Sequence, residues 1–269
     1  MTIMTVFHKK HAHILTTYPY GFTILLANIP VCIRFSQEDW FLKFQKKWSQ
    51  YLTTKKHHKT LYLSTNRISL ETQLIHMNKS TLHISCHADR LKKHTFKSLN
   101  YGIKRIIGRW LFEDGVFLVH ASAVINQHNK ALLFTGPQGA GKSTITKILT
   151  NFVPIADDVI FLSVINNTLV CFTTPFTEKR TYTTKASCLP VAGIFSLHKD
   201  QNLSIDRLSA QNALRKTFQL FYLLHIRGET LLPQILSAGN KLVPHIPWYS
   251  LHFPNTTETR EFFMTSAFR

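Results

Sequence analysis

The chain has 269 residues, 44% hydrophobic and 12% aromatic, enough for one large domain or two small ones with real cores, which argues against disorder outside the two ends. No apolar run approaches the roughly 18 residues of a membrane helix, the start lacks a signal peptide's apolar middle, and Cys32, Cys86, Cys171 and Cys188 form no Cys-x-x-Cys pair, so a cytoplasmic protein with reduced, mostly buried thiols is expected. A net charge of +18 implies an anionic partner, whether nucleotide, acidic peptide, nucleic acid or membrane surface, unless it is only a solvated basic surface.

In chain order, Gly21 to Leu26 and Val31 to Phe35 read as a hairpin around the turn Ala27 to Pro30. Ser36, with Asp39 three residues on, predicts a capping box, and Trp40, Phe41, Phe44, Trp48 and Leu52 follow at helical spacing as a core stripe. The basic cluster Lys55 to Lys59 reads as an exposed loop that keeps nucleic-acid binding open, though no helix-turn-helix, zinc-finger or RNP pattern accompanies it. Strand-like pieces at Thr60 to Ser64, Leu70 to Met77 and Thr81 to Cys86 complete a small α+β unit over residues 1–95. Its histidines, His57, His58, His83 and His87, lack metal-ligand spacing.

A second unit, 96–269, begins with a helix whose apolar face is Ile103, Ile106, Ile107, Trp110 and Leu111. Val116 to Val124 and Ala131 to Thr135 read as buried strands joined by a polar turn at Asn126 to Lys130. Later come a helix over Ser209 to Ile226 with Leu214, Phe218 and Phe221 facing inward, and a tail in which Pro233, Pro244, Pro247 and Pro254 bound short strands and loops.

Gly136-Pro137-Gln138-Gly139-Ala140-Gly141-Lys142-Ser143 matches the G-x-x-x-x-G-K-[ST] spacing between an apolar strand and the helix-like Ser143 to Leu149. Such a loop cradles phosphates: its glycines allow a close backbone approach, Lys142 supplies a cation, Ser143 a hydroxyl for Mg²⁺, and Thr144 a contact near the α-phosphate. The adjacent carboxylates Asp157 and Asp158 fall at a strand end where the sheet faces this loop, so that one could hold Mg²⁺ and the other accept a substrate proton. The alternative is a turn or helix-capping pair. His120, inside an apolar strand, reads equally as a functional group or a hydrogen-bonded core histidine.

Taken together, Val119 to Val124, Gly136 to Thr144 and Ala156-Asp157-Asp158 resemble, in order and spacing, the catalytic domain of HPr kinase/phosphorylase and its related serine kinases. Leu189 to Leu197, Ile205 to Leu214 and Val243 to Phe253 extend the resemblance across Leu118 to Phe253. It implies an α/β catalytic domain of the HPr kinase C-terminal type, a P-loop kinase preceded by the small α+β domain, using ATP and Mg²⁺ and, by family analogy, open to homo-oligomers. It further implies Asp157 as general base toward a serine hydroxyl, His120 near the transferred phosphate, and Ser143 and Asp158 on the metal side, with Glu178 as a further metal ligand and a role for Arg180. The glycine-rich signature that surrounds that acid in the family is absent around Glu178, which sets HPr and phosphorylase activity apart from what the resemblance carries. The expected activity is phosphoryl transfer to a hydroxyl of a protein or peptide, acidic in view of the net charge. A kinase of free serine and a nucleic-acid-associated ATPase are the alternatives. No Asn-Lys-x-Asp guanine signature is present.

Overall fold

A computed structural model describes residues 18–66, 73–77, 79–87, 93–176, 188–221 and 232–265. The chain divides into two compact units, Met1–Trp110 and Leu111–Arg269. The fold is mixed α/β.

In the first unit, β1 (Tyr20–Leu26) and β2 (Ile29–Phe35) form the expected hairpin. Its turn is tighter than expected, with only Ala27 and Asn28 at positive φ and Pro30 already inside β2 opposite Leu25. Strands β3 (Lys59–Asn66), β4 (Gln73–Met77) and β5 (Thr81–His87) extend the sheet in the order β1-β2-β3-β5-β4. Helix α1 (Glu38–Lys47) buries Trp40 and Phe44, and the Phe44 ring packs 4.6 Å from Trp48.

Three expectations for this unit are corrected. The capping box does not form: Gln37 is the N-cap and uses no side-chain bond, while the Ser36 amide donates to the Leu63 carbonyl. Tertiary pairing with β3 wins over the local cap. Leu52 lies 43% exposed, outside the aromatic core. Lys59 leaves the exposed basic cluster: it opens β3, is buried, holds its ammonium over the Trp110 ring and donates to the Lys79 carbonyl. Lys55 to His58 remain exposed as expected. Helix α2 spans Lys93–Phe112 and buries Ile103, Ile107, Trp110 and Leu111 as the spacing indicates, Ile106 being half-buried.

The second unit is a nine-stranded sheet. The apolar run expected as one strand over Val116 to Val124 breaks at Ala121 into β6 (Phe117–His120) and β7 (Ser122–Ile125). The two halves take different partners: β6 pairs antiparallel with β10 (Val159–Ile165), and β7 pairs with β8 (Ala131–Thr135) and β9 (Val153–Ala156). Strand β11 (Thr168–Phe172) continues from β10, and the long β12 (Cys188–Lys199) pairs antiparallel with β11 at its start and parallel with β8 further on. Strand β14 (Trp248–Phe253) lies parallel to β12 and carries β13 (Ser204–Arg207) at its side. Thus β8, β12 and β14 run in one direction and end at one edge.

Helix α3 (Lys142–Ile148) follows the glycine-rich loop, with Ile145 and Leu149 packing into a core of Phe134, Phe195, Leu251, Phe253 and Phe263. Helix α4 (Ala210–Leu220) is capped by the Ser209 hydroxyl, which accepts from the Asn212 amide. Its buried face is Ala213, Thr217 and Leu220; Leu214 and Phe218 are half-buried, a correction of one step around the helix. Phe221 is buried as expected, but from an extended residue bridging to Val119. Pro233 does not bound a strand: it sits in the first turn of α5 (Leu232–Leu242), where a missing N–H costs nothing. Helix α6 (Thr257–Thr265) packs Phe263 into the same core. Cys32 and Cys171 are buried free thiols, whereas Cys188 is exposed.

Candidate active site

The loop between β8 and α3 owes its shape to glycine. Gly136, Gly139 and Gly141 adopt φ of 151°, 85° and 103°, values that side chains rarely tolerate. Two of them are also sterically required: a Cβ on Gly136 would lie 2.8 Å from the Ala140 Cβ, and one on Gly141 would lie 2.7 Å from Phe253 Cζ. The loop is held from inside as well. The Lys142 ammonium donates to the carbonyls of Gly136 (2.6 Å) and Pro137 (3.1 Å), and the Ser122 hydroxyl, fully buried on β7, donates to the Lys142 carbonyl (3.3 Å). Burial pushes the Lys142 pKa below the ordinary lysine value, with the charge of Asp158 partly opposing the shift.

Asp157 and Asp158 occupy the bend between β9 and β10, so no helix is present for them to cap. Strand pairing sets His120 opposite Val159, beside Asp158, and the His120 Nδ1 to Asp158 Oδ1 distance is 3.1 Å. His120 is therefore not a core histidine: its side chain is 33% exposed and engaged with a carboxylate. Both aspartates are half-buried, and the Asp157 Oδ1 atom is shielded from solvent.

A single cleft of about 440 Å³ brings most of these groups together. His120, Asp157 and Asp158 line one part, and Gln138, Gly139, Gly141, Lys142, Ser143 and Thr144 of the loop line another. Gly136 and Ala140 are not on its surface; they form the base of the loop, Gly136 through its carbonyl. Glu178 and Arg180 lie outside the described residues. The cleft also contains a residue that the sequence reading passed over, Lys199, at the last position of β12. Its only signal was topological: a parallel strand next to the loop-bearing strand delivers its C-terminal residue to the same edge, where open α/β sheets bind ligands.

The donors present suit a hard cation and a polyphosphate. A hydroxyl (Ser143) and a carboxylate (Asp158) are oxygen ligands of the kind Mg²⁺ takes, and a backbone loop with a lysine matches phosphate oxygens. Among the described residues no cluster of three or more His, Cys, Asp or Glu could hold a metal ion. Among the same residues no helix is long and apolar enough to cross a membrane.

No protein-family model matches the chain, and no curated protein does. Among solved structures it is similar to the Hpr(Ser) kinase/phosphatase from Coxiella burnetii, at 15% identity over 55% of this chain and 91% of that one, with a TM-score of 0.33. A likeness of that depth carries no weight for the chemistry, which rests on the cleft itself.

Proposed function

We propose that this protein is an ATP- and Mg²⁺-dependent kinase that transfers the γ-phosphoryl group to a serine-type hydroxyl of a protein or peptide. One observation carries the reading: a glycine-shaped loop with its lysine and serine shares a cleft with two adjacent aspartates and a histidine. The cleft volume lies within the range of small-ligand sites.

In this reading the loop amides and Lys142 bind the phosphates, exchanging the loop carbonyls that Lys142 now contacts for phosphate oxygens. Ser143 and Asp158 would hold the metal ion, which would neutralise charge on the phosphates. His120 keeps Asp158 in position through their 3.1 Å contact. Asp157 accepts the proton of the attacking hydroxyl, a role suited to a carboxylate half-withdrawn from water. The acceptor oxygen then bonds to the γ-phosphorus, the bond to the β–γ bridging oxygen breaks, and ADP leaves with that electron pair. The excess of basic groups in the chain favours an acidic peptide as acceptor.

The test pairs two variants with labelled ATP, Mg²⁺ and a cell lysate as a source of acceptors. Asp157→Asn should bind ATP as tightly as the parent yet transfer no phosphate, and Lys142→Ala should lose affinity and transfer together. Transfer undiminished in Asp157→Asn would remove Asp157 as the base, and failure of the parent to bind ATP in calorimetry would remove the kinase reading.

A further inference from the structure

We infer that Lys199 is a second phosphate-binding cation of the cleft, reaching the terminal phosphate of a bound polyphosphate from the edge of the sheet; the inference rests on the nucleotide-binding reading above. Three observations converge on it.

The first is position. Strand β12 lies between β8, which leads into the loop, and β14, and its last residue pairs with Phe253. The ring of that phenylalanine packs on Gly141, and the Lys199 side chain runs beside it: Lys199 Cε lies 3.8 Å from the point where a Cβ on Gly141 would stand. The stem of Lys199 thus passes over the loop residue immediately before Lys142, and the residue lines the cleft.

The second is anchorage. A flexible lysine contributes most when its backbone is fixed, because less entropy is lost on binding. Next to it, the Asp200 amide donates to the Phe253 carbonyl (3.2 Å). The Asp200 carboxylate accepts from the amides of Gln201 (2.7 Å) and Asn202 (3.2 Å) through Oδ1 and contacts His252 Nδ1 (3.1 Å) through Oδ2. The acid nearest in sequence is therefore committed elsewhere. Among the described residues no carboxylate forms an ion pair with Lys199, whose side chain remains exposed to the cleft mouth.

The third is charge. The cleft carries two carboxylates, Asp157 and Asp158, against Lys142. With that lysine alone its lining would be net negative, an unfavourable surround for a triphosphate tail. Lys199 brings the lining to balance before any metal ion enters. A cation at the exposed rim of the cleft would touch the outermost phosphate more than the inner ones.

The experiment is titration calorimetry of the full chain and of Lys199→Gln and Lys199→Arg with inorganic tripolyphosphate, Mg-ATP, Mg-ADP and AMP. Lys199→Gln should weaken tripolyphosphate and ATP by about tenfold or more, the scale of one charge-assisted hydrogen bond, with a smaller loss for ADP and none for AMP. Lys199→Arg should recover most of the affinity. Since Lys199 is exposed, both variants should unfold at the parent's denaturant midpoint. Unchanged tripolyphosphate and ATP affinity in Lys199→Gln, or an equal loss for AMP, would overturn the assignment. A parent chain that binds tripolyphosphate but not ATP would refute the kinase reading and leave Lys199 standing. A parent that binds neither would refute both.

Discussion

Replacing Gly141 by alanine places a methyl group 2.7 Å from Phe253 Cζ, about 1 Å inside the optimal carbon–carbon separation. The φ of 103° adds a second penalty, about 1–2 kcal/mol even at the left-handed minimum and no less here. Phe253 is 2% exposed among Phe134, Phe195 and Phe263, so its ring cannot swing away freely, and overpacking of such a core costs about 1–3 kcal/mol. The sum is a loss of about 2–5 kcal/mol. Gly139 supplies the internal control. Its φ is 85° and a Cβ there would meet nothing within 4 Å, so Gly139→Ala should cost only the backbone term of about 1–2 kcal/mol. Both substitutions restrict the unfolded chain equally, and that contribution cancels in the comparison. Urea denaturation of the two variants measures the difference directly, and a double variant Gly141→Ala with Phe253→Leu should recover part of it. Equal losses at the two positions, or strict additivity in the double variant, would refute the packing of Phe253 on the loop.

Two further outcomes follow from the same geometry. An anion bound against Lys142 favours its charged form and raises the pKa that burial has lowered, so binding takes up a proton once pH passes the depressed value. ATP affinity should therefore fall as pH rises, starting below the 10.5 of an ordinary lysine, and Lys142→Arg should flatten that slope because a guanidinium stays charged. Between β10 and β11, Asn166 and Asn167 turn the chain with φ of 48° and 62°; Asn167→Ala should cost about 1 kcal/mol in denaturant titrations, since asparagine tolerates this region better than alanine.

What could be read from the residues was what depends on neighbours in sequence. The loop Gly136 to Ser143 declares itself because its glycines, lysine and flanking strand and helix are contiguous, and β8 falls where its apolar run begins and ends. The split of β6 from β7 was illegible because Phe117 to Val124 is apolar or buried throughout, apart from His120, and only the choice of partners, β10 for one half and β8 with β9 for the other, marks the break at Ala121. The same limit explains Ser36, whose amide is taken by β3, and Lys59, whose charge rests on Trp110. At the cleft, His120, the loop and the twin aspartates stood out as residue types with chemistry. Lys199 did not, because one lysine among 32 basic residues gains meaning only from the strand order that carries it there.

The seat of Phe253 on Gly141 also sets a timetable for synthesis. A chain leaving the ribosome presents the octapeptide early, but the ring that fills the space above its last glycine arrives only with β14. Until that strand is laid against β12 the nascent polypeptide lacks the backstop that shapes the glycine-rich loop, so the anion affinity proposed for that loop should be acquired late and in one step.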